Sequence, residues 1–320
     1  MAFFFIANNA LAYQQLIPTA FSRLIRLGAN TMIGAMSTGA VTISIDLELA
    51  WGNWDNLERH HIEHVERSER MIVKRLIEIL DRYEIPVTWA LVAALLDRAS
   101  AKGREGGERN WYAPDVIDTI RAARVAHDLG SHGGHHRYLN GMSDAEADED
   151  LSFARSIHDA NGLPFRSFVF PRNLVGKTQL LEKHGAKVYR GQDRAWHERI
   201  RSRQMQAGRI ANLVDKMLPI APETVAPERD HGLVNLPGSL LFMGRDGVRR
   251  YARPGTMRRK LAKGVAAASR EGRVFHLWFH PSNFWHDTDS QFATFESFIA
   301  GVSDCAGRGE IEVKPMAAFA

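Results

Sequence analysis

The segment VTISIDLELAWG, residues 41–52, carries two carboxylates, Asp46 and Glu48, at the end of an alternating stretch. Apolar residues alternating with small or polar ones have the period of a β-strand, and residues i and i+2 of a strand share a face. Carboxylates that leave water need a cation, a hydrogen-bond network or a metal, because an unpartnered buried charge is costly. The other polar residues at the ends of expected strands are His132 and His136 in GSHGGHHRYL, Arg172 and Asn173 in FVFPRN, Asp193 after KVYRG, and His280 in HLWFHP. The i, i+4 spacing of His132 and His136 brings both imidazoles to one face if the chain turns helically. Two histidines and one carboxylate make a hydrolytic metal site that keeps a position open for water. A metal there would lower the pKa of that water and polarise a carbonyl oxygen. One acid and one histidine remain for proton transfer, Asp46 and His280. Cys305 is the only cysteine, so a disulfide within the chain and a cysteine-built zinc site are both excluded. The run HHIEH (His60, His61, Glu63, His64) lacks the order of the zinc-protease helix and is expected at a polar lip.

Strands alternating with helices must position these groups. Strand-like stretches lie at 41–48, 86–92, 129–132, 166–171, 186–191, 274–280 and 310–315. Helical patterns lie at 65–85, with Pro86 marking the stop, and at 114–128, 143–162, 176–185, 255–272 and 292–309, the third opened by a Ser143 cap and an acidic first turn. Residues 198–230 read as irregular and basic. The alternation predicts an α/β fold with parallel pairing, and the strand count favours a barrel with its site at the C-terminal strand ends.

With 320 residues, 45% of them hydrophobic, the chain is long enough to bury a full core, and its net charge of +4 is mild. A nucleic-acid partner is not expected. Arginines crowd 190–209 and 245–263. Such runs are ordinarily solvated faces, and the functional alternative is a surface for an anionic substrate such as a phosphate-bearing sugar carrier. Residues 1–40 contain no acid and form an atypical N-terminal extension, with the barrel domain expected over 41–318. No secretory-signal pattern lines up there and no apolar run is long enough to span a bilayer. An amphipathic surface helix at 11–27 and a translation start at Met36 are the two readings, the second preferred.

The blocks SIDLELAWG, GSHGGHHRYL, FRSFVFPRN, YRGQDRAW and HLWFHP resemble, in order, those of the polysaccharide deacetylases, the NodB-like members of carbohydrate esterase family four. IPVTWALV resembles the family's second strand and EIEVKPMAAFA its last, and the nearest likeness is to a branch associated with surface-polysaccharide and O-antigen biosynthesis. The resemblance implies a distorted (β/α) barrel of about seven strands, a divalent metal, usually zinc, and hydrolysis of an N-acetyl or O-acetyl group on a sugar. Carried onto this chain, it implies Glu48, His132 and His136 as metal ligands and Asp46 as base, with the reverse assignment of the two acids left open. It also implies His280 as acid backed by Asp193, and Arg172 as the residue that orients Asp46, with Arg166 the second candidate. His135 complicates the ligand pair on spacing alone. Trp51, Pro171, Asn173 and Trp278 are expected sugar contacts. The chain departs from the family pattern at Leu47, which stands where a ligand aspartate is usual, at Gly133 in place of Ser or Thr, and at Val169 in place of an arginine. The expected partner is an acetylated sugar, nucleotide- or lipid-linked, and the expected compartment is the cytoplasm, with peripheral membrane association left open. The alternatives are hydrolysis of a non-sugar C–N amide bond and an inactive sugar-binding protein.

Overall fold

The computed structural model describes residues 38–194, 214–215, 217–251 and 254–320. The expected N-terminal extension up to residue 37, the start at Met36 and the arginines at 199, 201, 203, 209 and 253 lie outside the described residues. The central strand is β1 (Gly39–Leu47), buried along its whole length. It pairs in parallel with β2 (Thr88–Leu91), β9 (Val274–Phe279) and β10 (Ile311–Val313). Beyond β2 come β3 (Asp128–Ser131), β4 (Ser167–Val169), β5 (Val188–Gly191) and β7 (Leu233–Pro237), with β6 (Glu228–Asp230) antiparallel at the edge. On the other side β9 pairs with β8 (Leu240–Leu241).

The expected α/β barrel is thus a curled, open sheet. Curling is visible in a side-chain contact: Arg190 of β5 reaches Ser44 of β1 at 2.9 Å, although β4, β3 and β2 lie between them in the ladder. A flat sheet would hold those strands about 19 Å apart. β7 and β8 belong to one short stretch, the first pairing with β5 and the second with β9, so residues 233–241 span the gap between the two sides. These strands carried no sequence expectation; part of the segment read as irregular forms a hairpin whose turn uses His231 at φ 53°.

Alternation along β1 divides the core. Val41, Ile43, Ile45 and Leu47 face the helices, whereas Ala40 joins Ala90, Val169, Val188, Val234 and Val274 on the inner face. That inner face becomes polar towards the C-terminal end, through Thr42, Ser44 and Asp46, all at most 1% exposed. The outer face is covered by helices that include α1 (Arg59–His64), α2 (Arg70–Arg82), α3 (Arg98–Ala101), α4 (Pro114–Arg121), α5 (Asp144–Ala160), α6 (Thr178–Lys183), α7 (Pro254–Glu271) and α8 (Thr288–Gly307). α2 buries Ile72, Val73, Leu76, Ile77, Ile79 and Leu80, a stripe at helical spacing. Ser143 caps α5 as expected, in a capping box with Glu146. α4 stops at Arg121, earlier than its pattern, because the Asp81 carboxylate accepts the backbone N–H groups of Arg124 and Val125 and holds them in a turn. Among the described residues no helix is long and apolar enough to cross a membrane.

Candidate metal centre

Glu48 follows β1 as the chain enters a tight turn, Leu49–Asn53, with Leu49 at φ 49°. Gly52 makes the turn compatible with the acid, since a Cβ there would lie 2.0 Å from Glu48 Oε2. Trp51 anchors the turn from below. Its indole N–H donates to the Trp111 carbonyl at 2.9 Å, its ring meets Trp111 edge-on, and it is 1% exposed. The expectation of Trp51 as a sugar contact is therefore corrected: the ring is sealed in the core.

His132 and His136 both reach Glu48, at 3.0 and 2.9 Å from Nε2 to the same carboxylate oxygen, Oε1. The expected helical turn between them is absent. The segment is a bent loop after β3, pinned by the Asp150 carboxylate, which accepts the N–H groups of Gly134 (2.8 Å) and His135 (3.2 Å). A Cβ at Gly134 would lie 2.7 Å from Asp150. Gly133, one of the departures from the family pattern, sits at φ 83°, where glycine is favoured. The same fold of the loop separates the histidines: His132 and His136 face Glu48, whereas His135 turns away to bond Asp150 and to stack on Phe153.

The donor set fits a divalent cation. His132 Nδ1 lies 2.8 Å from the Val169 carbonyl, which can only accept, so the proton sits on Nδ1 and the Nε2 lone pair faces Glu48. A lone pair directed at a carboxylate oxygen at 3.0 Å is repulsive unless a cation or a proton lies between them. Two imidazole nitrogens and one carboxylate oxygen are donors of the kind that divalent cations accept. A second group, Asp46, Glu48 and His280, converges on the same carboxylate. His280 Nε2 is 3.4 Å from Glu48 Oε1 and 3.5 Å from Asp46 Oδ2. Among the described residues these two groups alone have ligand spacing, and the histidines of HHIEH are in neither. His64 stacks on Trp285 and meets His286 edge-on.

Charge follows this packing. Burial favours the neutral form of Asp46, but Arg190, His132 and His280 outweigh it and hold its pKa below the usual value. Glu48 is held well below, against burial, by His280, His136 and His132. Burial would lower the His280 pKa, yet Glu48 and Asp46 raise it to about 9. Glu69, on a π turn (Val65–Glu69), is 3% exposed, and its Oε2 has no hydrogen-bond partner among the described residues. Burial and then Glu48 push its pKa to about 8.

The guanidinium on Asp46 belongs to Arg190, which donates from Nη1 to Oδ1 at 2.8 Å and from Nη2 to Oδ2 at 2.7 Å. The expectation that Arg172 orients Asp46 is corrected. Arg172, held at φ 55° in the turn Pro171–Asn173, donates to the Gly52 carbonyl and to Asp55 and is 46% exposed. Arg166 is exposed, ahead of β4. Arg190 was legible as a charge at an inward strand position, but its place in an arginine-rich run favoured a solvated reading. Asp193 accepts from the Trp278 indole (3.0 Å) and the Asn173 amide (3.3 Å), which fixes two half-buried side chains of the rim, while the largest charges acting on His280 are Glu48 and Asp46. Pro171 is buried. Trp54, outside the expected contacts, is 39% exposed and donates its indole N–H to the His136 carbonyl at 3.0 Å. In the basic run at 245–263, Arg245 pairs with Asp287, Arg249 with Asp246, and the buried Lys260 with Asp215, so these three cations are engaged within the fold.

A family profile described as polysaccharide deacetylase matches residues 64–189. That span contains His132 and His136, while Asp46, Glu48, Arg190 and His280 lie outside it. Similar solved structures include a putative polysaccharide deacetylase from Mycobacterium smegmatis, 17% identical with a TM-score of 0.60 over 90% of each chain. A probable polysaccharide deacetylase from Pseudomonas aeruginosa PAO1 is 15% identical, with a TM-score of 0.57 over 87% of this chain and 89% of that one. Puue allantoinase is also 15% identical, with a TM-score of 0.58 over 88% of each chain. At these identities the likeness shows a shared fold. No curated protein matches the chain.

Proposed function

We propose that this chain, which belongs to the polysaccharide deacetylase family, removes an acetyl group, an N-acetyl first of all, from a sugar by metal-assisted hydrolysis. The observation that carries the reading is the convergence of His132, His136 and His280 on Glu48 at nitrogen-to-oxygen distances of 2.9–3.4 Å, with Asp46 3.5 Å from His280. Glu48, His132 and His136 would hold the divalent cation, zinc in this reading, which when bound supplies Lewis acidity and a water of lowered pKa. Asp46, held ionised by Arg190, takes the proton of the attacking water at a carboxylate oxygen. Oxygen adds to the acetyl carbon, the C–N bond breaks, and His280 Nε2 gives its proton to the departing nitrogen as acetate forms. Asp46 Oδ2 is 3.5 Å from His280 Nε2, so the proton gained by the acid can pass to the imidazole and reset the pair.

The test is acetate release across a panel of N- and O-acetylated sugars and non-sugar amides. The expected result is acetate with an equal amount of new amine from an acetylated sugar, and none from Asp46→Asn protein that still binds metal. Turnover confined to a non-sugar amide would replace the sugar reading with the second one, which the fold shared with an allantoinase favours. Binding of sugar with no acetate from any substrate would establish the inactive reading.

Trp54 supplies a flat, partly exposed face beside the metal ligand whose carbonyl it holds. Trp54→Ala is expected to raise KM for the sugar about tenfold, the equivalent of an aromatic contact of about 1.4 kcal/mol. Trp54→Phe, which keeps a ring, should recover most of that. Unchanged KM in the alanine variant would remove Trp54 from the sugar subsite.

A further inference from the structure

We infer that Ser44 and His276 are positioning residues for the base, forming a one-directional hydrogen-bond chain that fixes Arg190 against Asp46. The inference rests on the proposed role of Asp46. Ser44, Arg190 and His276 are each 0% exposed and lie on three strands, β1, β5 and β9, whose side chains meet inside the curled sheet.

The direction of every bond follows from chemistry. His276 Nδ1 lies 3.1 Å from the Pro237 carbonyl oxygen. A carbonyl only accepts, so Nδ1 carries the proton, and in a neutral ring Nε2 then offers a lone pair. The ring is neutral, because burial, and next the charge of Arg190, push its pKa down to about 3. Ser44 Oγ is 3.0 Å from Nε2, so the hydroxyl donates to the ring. Its remaining lone pairs accept from Arg190 Nη1 at 2.9 Å, the only direction open to a guanidinium, which has no lone pair to give. Nη1 and Nη2 then grip Asp46 in a two-pronged contact.

An arginine side chain reaching across the sheet interior has several rotatable bonds, and one carboxylate does not fix them all. Here the fork is held at each part. Trp278 lies 4.3 Å from the guanidinium carbon, Asn173 accepts from Nε at 3.5 Å, and Ser44 holds the Nη1 arm. His276 ties the chain to the segment joining β7 to β8. Its backbone N–H donates to Ser239 Oγ and its carbonyl accepts from the Ser239 N–H. A buried histidine used only to fill space would leave two polar nitrogens to satisfy. This one spends both on the line that ends at Asp46.

The test compares Ser44→Ala, His276→Leu and His276→Gln with wild-type protein. Glutamine offers one donor and one acceptor in the place of the two ring nitrogens, and leucine offers neither. The expected result is a fall in kcat of about 10- to 100-fold for Ser44→Ala and His276→Leu, as for other supports of reacting groups, with KM changed by less than about twofold. Metal content should be unchanged, and His276→Gln should recover most of the lost kcat. Wild-type kcat in Ser44→Ala, or equal losses in the leucine and glutamine variants, would overturn the inference and leave both residues as packing. Should the wild-type protein release no acetate from any substrate, the functional reading fails separately, and ¹⁵N spectra of the imidazoles decide the chain. A His276 ring protonated at Nδ1, with an Nε2 resonance that moves in Ser44→Ala, supports it. A ring protonated at Nε2 overturns it.

Discussion

Protein carrying His132→Ala should be isolated without bound divalent metal and without hydrolytic activity, whereas the wild type should hold about one equivalent. The expectation rests on how few donors the centre has. Glu48, His132 and His136 supply one atom each, and the other groups at ligand spacing, Asp46 and His280, are already engaged, Asp46 by Arg190 and His280 by the two carboxylates. The His132 ring is also the better-prepared donor, since its Nδ1–H is committed to the Val169 carbonyl and its Nε2 is aimed at the shared oxygen. Outer partners of a metal ligand alone are worth about 10- to 100-fold in affinity, and removing the ligand itself removes more. Glu48→Ala should behave in the same way. His135→Ala is the control for damage to the loop, because its ring sits in the same segment but bonds Asp150; it should keep both metal and activity. Elemental analysis of protein purified without added zinc, repeated after dialysis against zinc, reads all three variants. Stoichiometric metal in the His132→Ala protein would refute the donor set.

Replacing Arg190 by methionine is expected to cost about 3–5 kcal/mol of stability, the usual consequence of leaving one member of a buried ion pair alone. Arg190 is 0% and Asp46 1% exposed, so the abandoned carboxylate would be solvated far less well than one in bulk water. For a chain of this size the loss is a fall in Tm on the order of 10 °C. Activity should fall with it, because the carboxylate loses the contacts that fix both of its oxygens. Adding Asp46→Asn to Arg190→Met should return much of the stability and none of the activity, since the double variant leaves no buried charge uncompensated. Arg172→Met makes the contrast. Its guanidinium is 46% exposed and its ion pair with Asp55 lies at the surface, so the change should stay within about 1 kcal/mol. Thermal or urea unfolding of the variants decides between the two arginines. A stable Arg190→Met protein beside an unstable Arg172→Met protein would restore the assignment made from the sequence.

The amino-acid sequence by itself determined the class of fold and the cast of the site. Period-2 stretches alternating with helical ones defined an α/β sheet, and the residue types at strand ends singled out Asp46, Glu48, His132, His136 and His280, which the structure brings together. Such features are local: a strand shows in its own alternation, and a histidine shows its chemistry wherever it stands. Pairings across the sheet are not local, and only the tertiary structure decided them. Arg190 and Asp46 are separated by 144 positions, and nothing in the spacing of Arg172 or Arg190 says which will reach the carboxylate. The answer lies in the curl of the sheet, which brings β5 and β1 face to face. Which of His135 and His136 lies against Glu48 was decided in the same way, by Asp150 on α5 folding the Gly-rich loop so that His136 points in and His135 out. Trp51 read as a ring for sugar because it follows the acids, and burial under Trp111 made it core. The short strands at 228–241 escaped notice because each is too brief to show a period, and they exist because the edges of the curled sheet need partners.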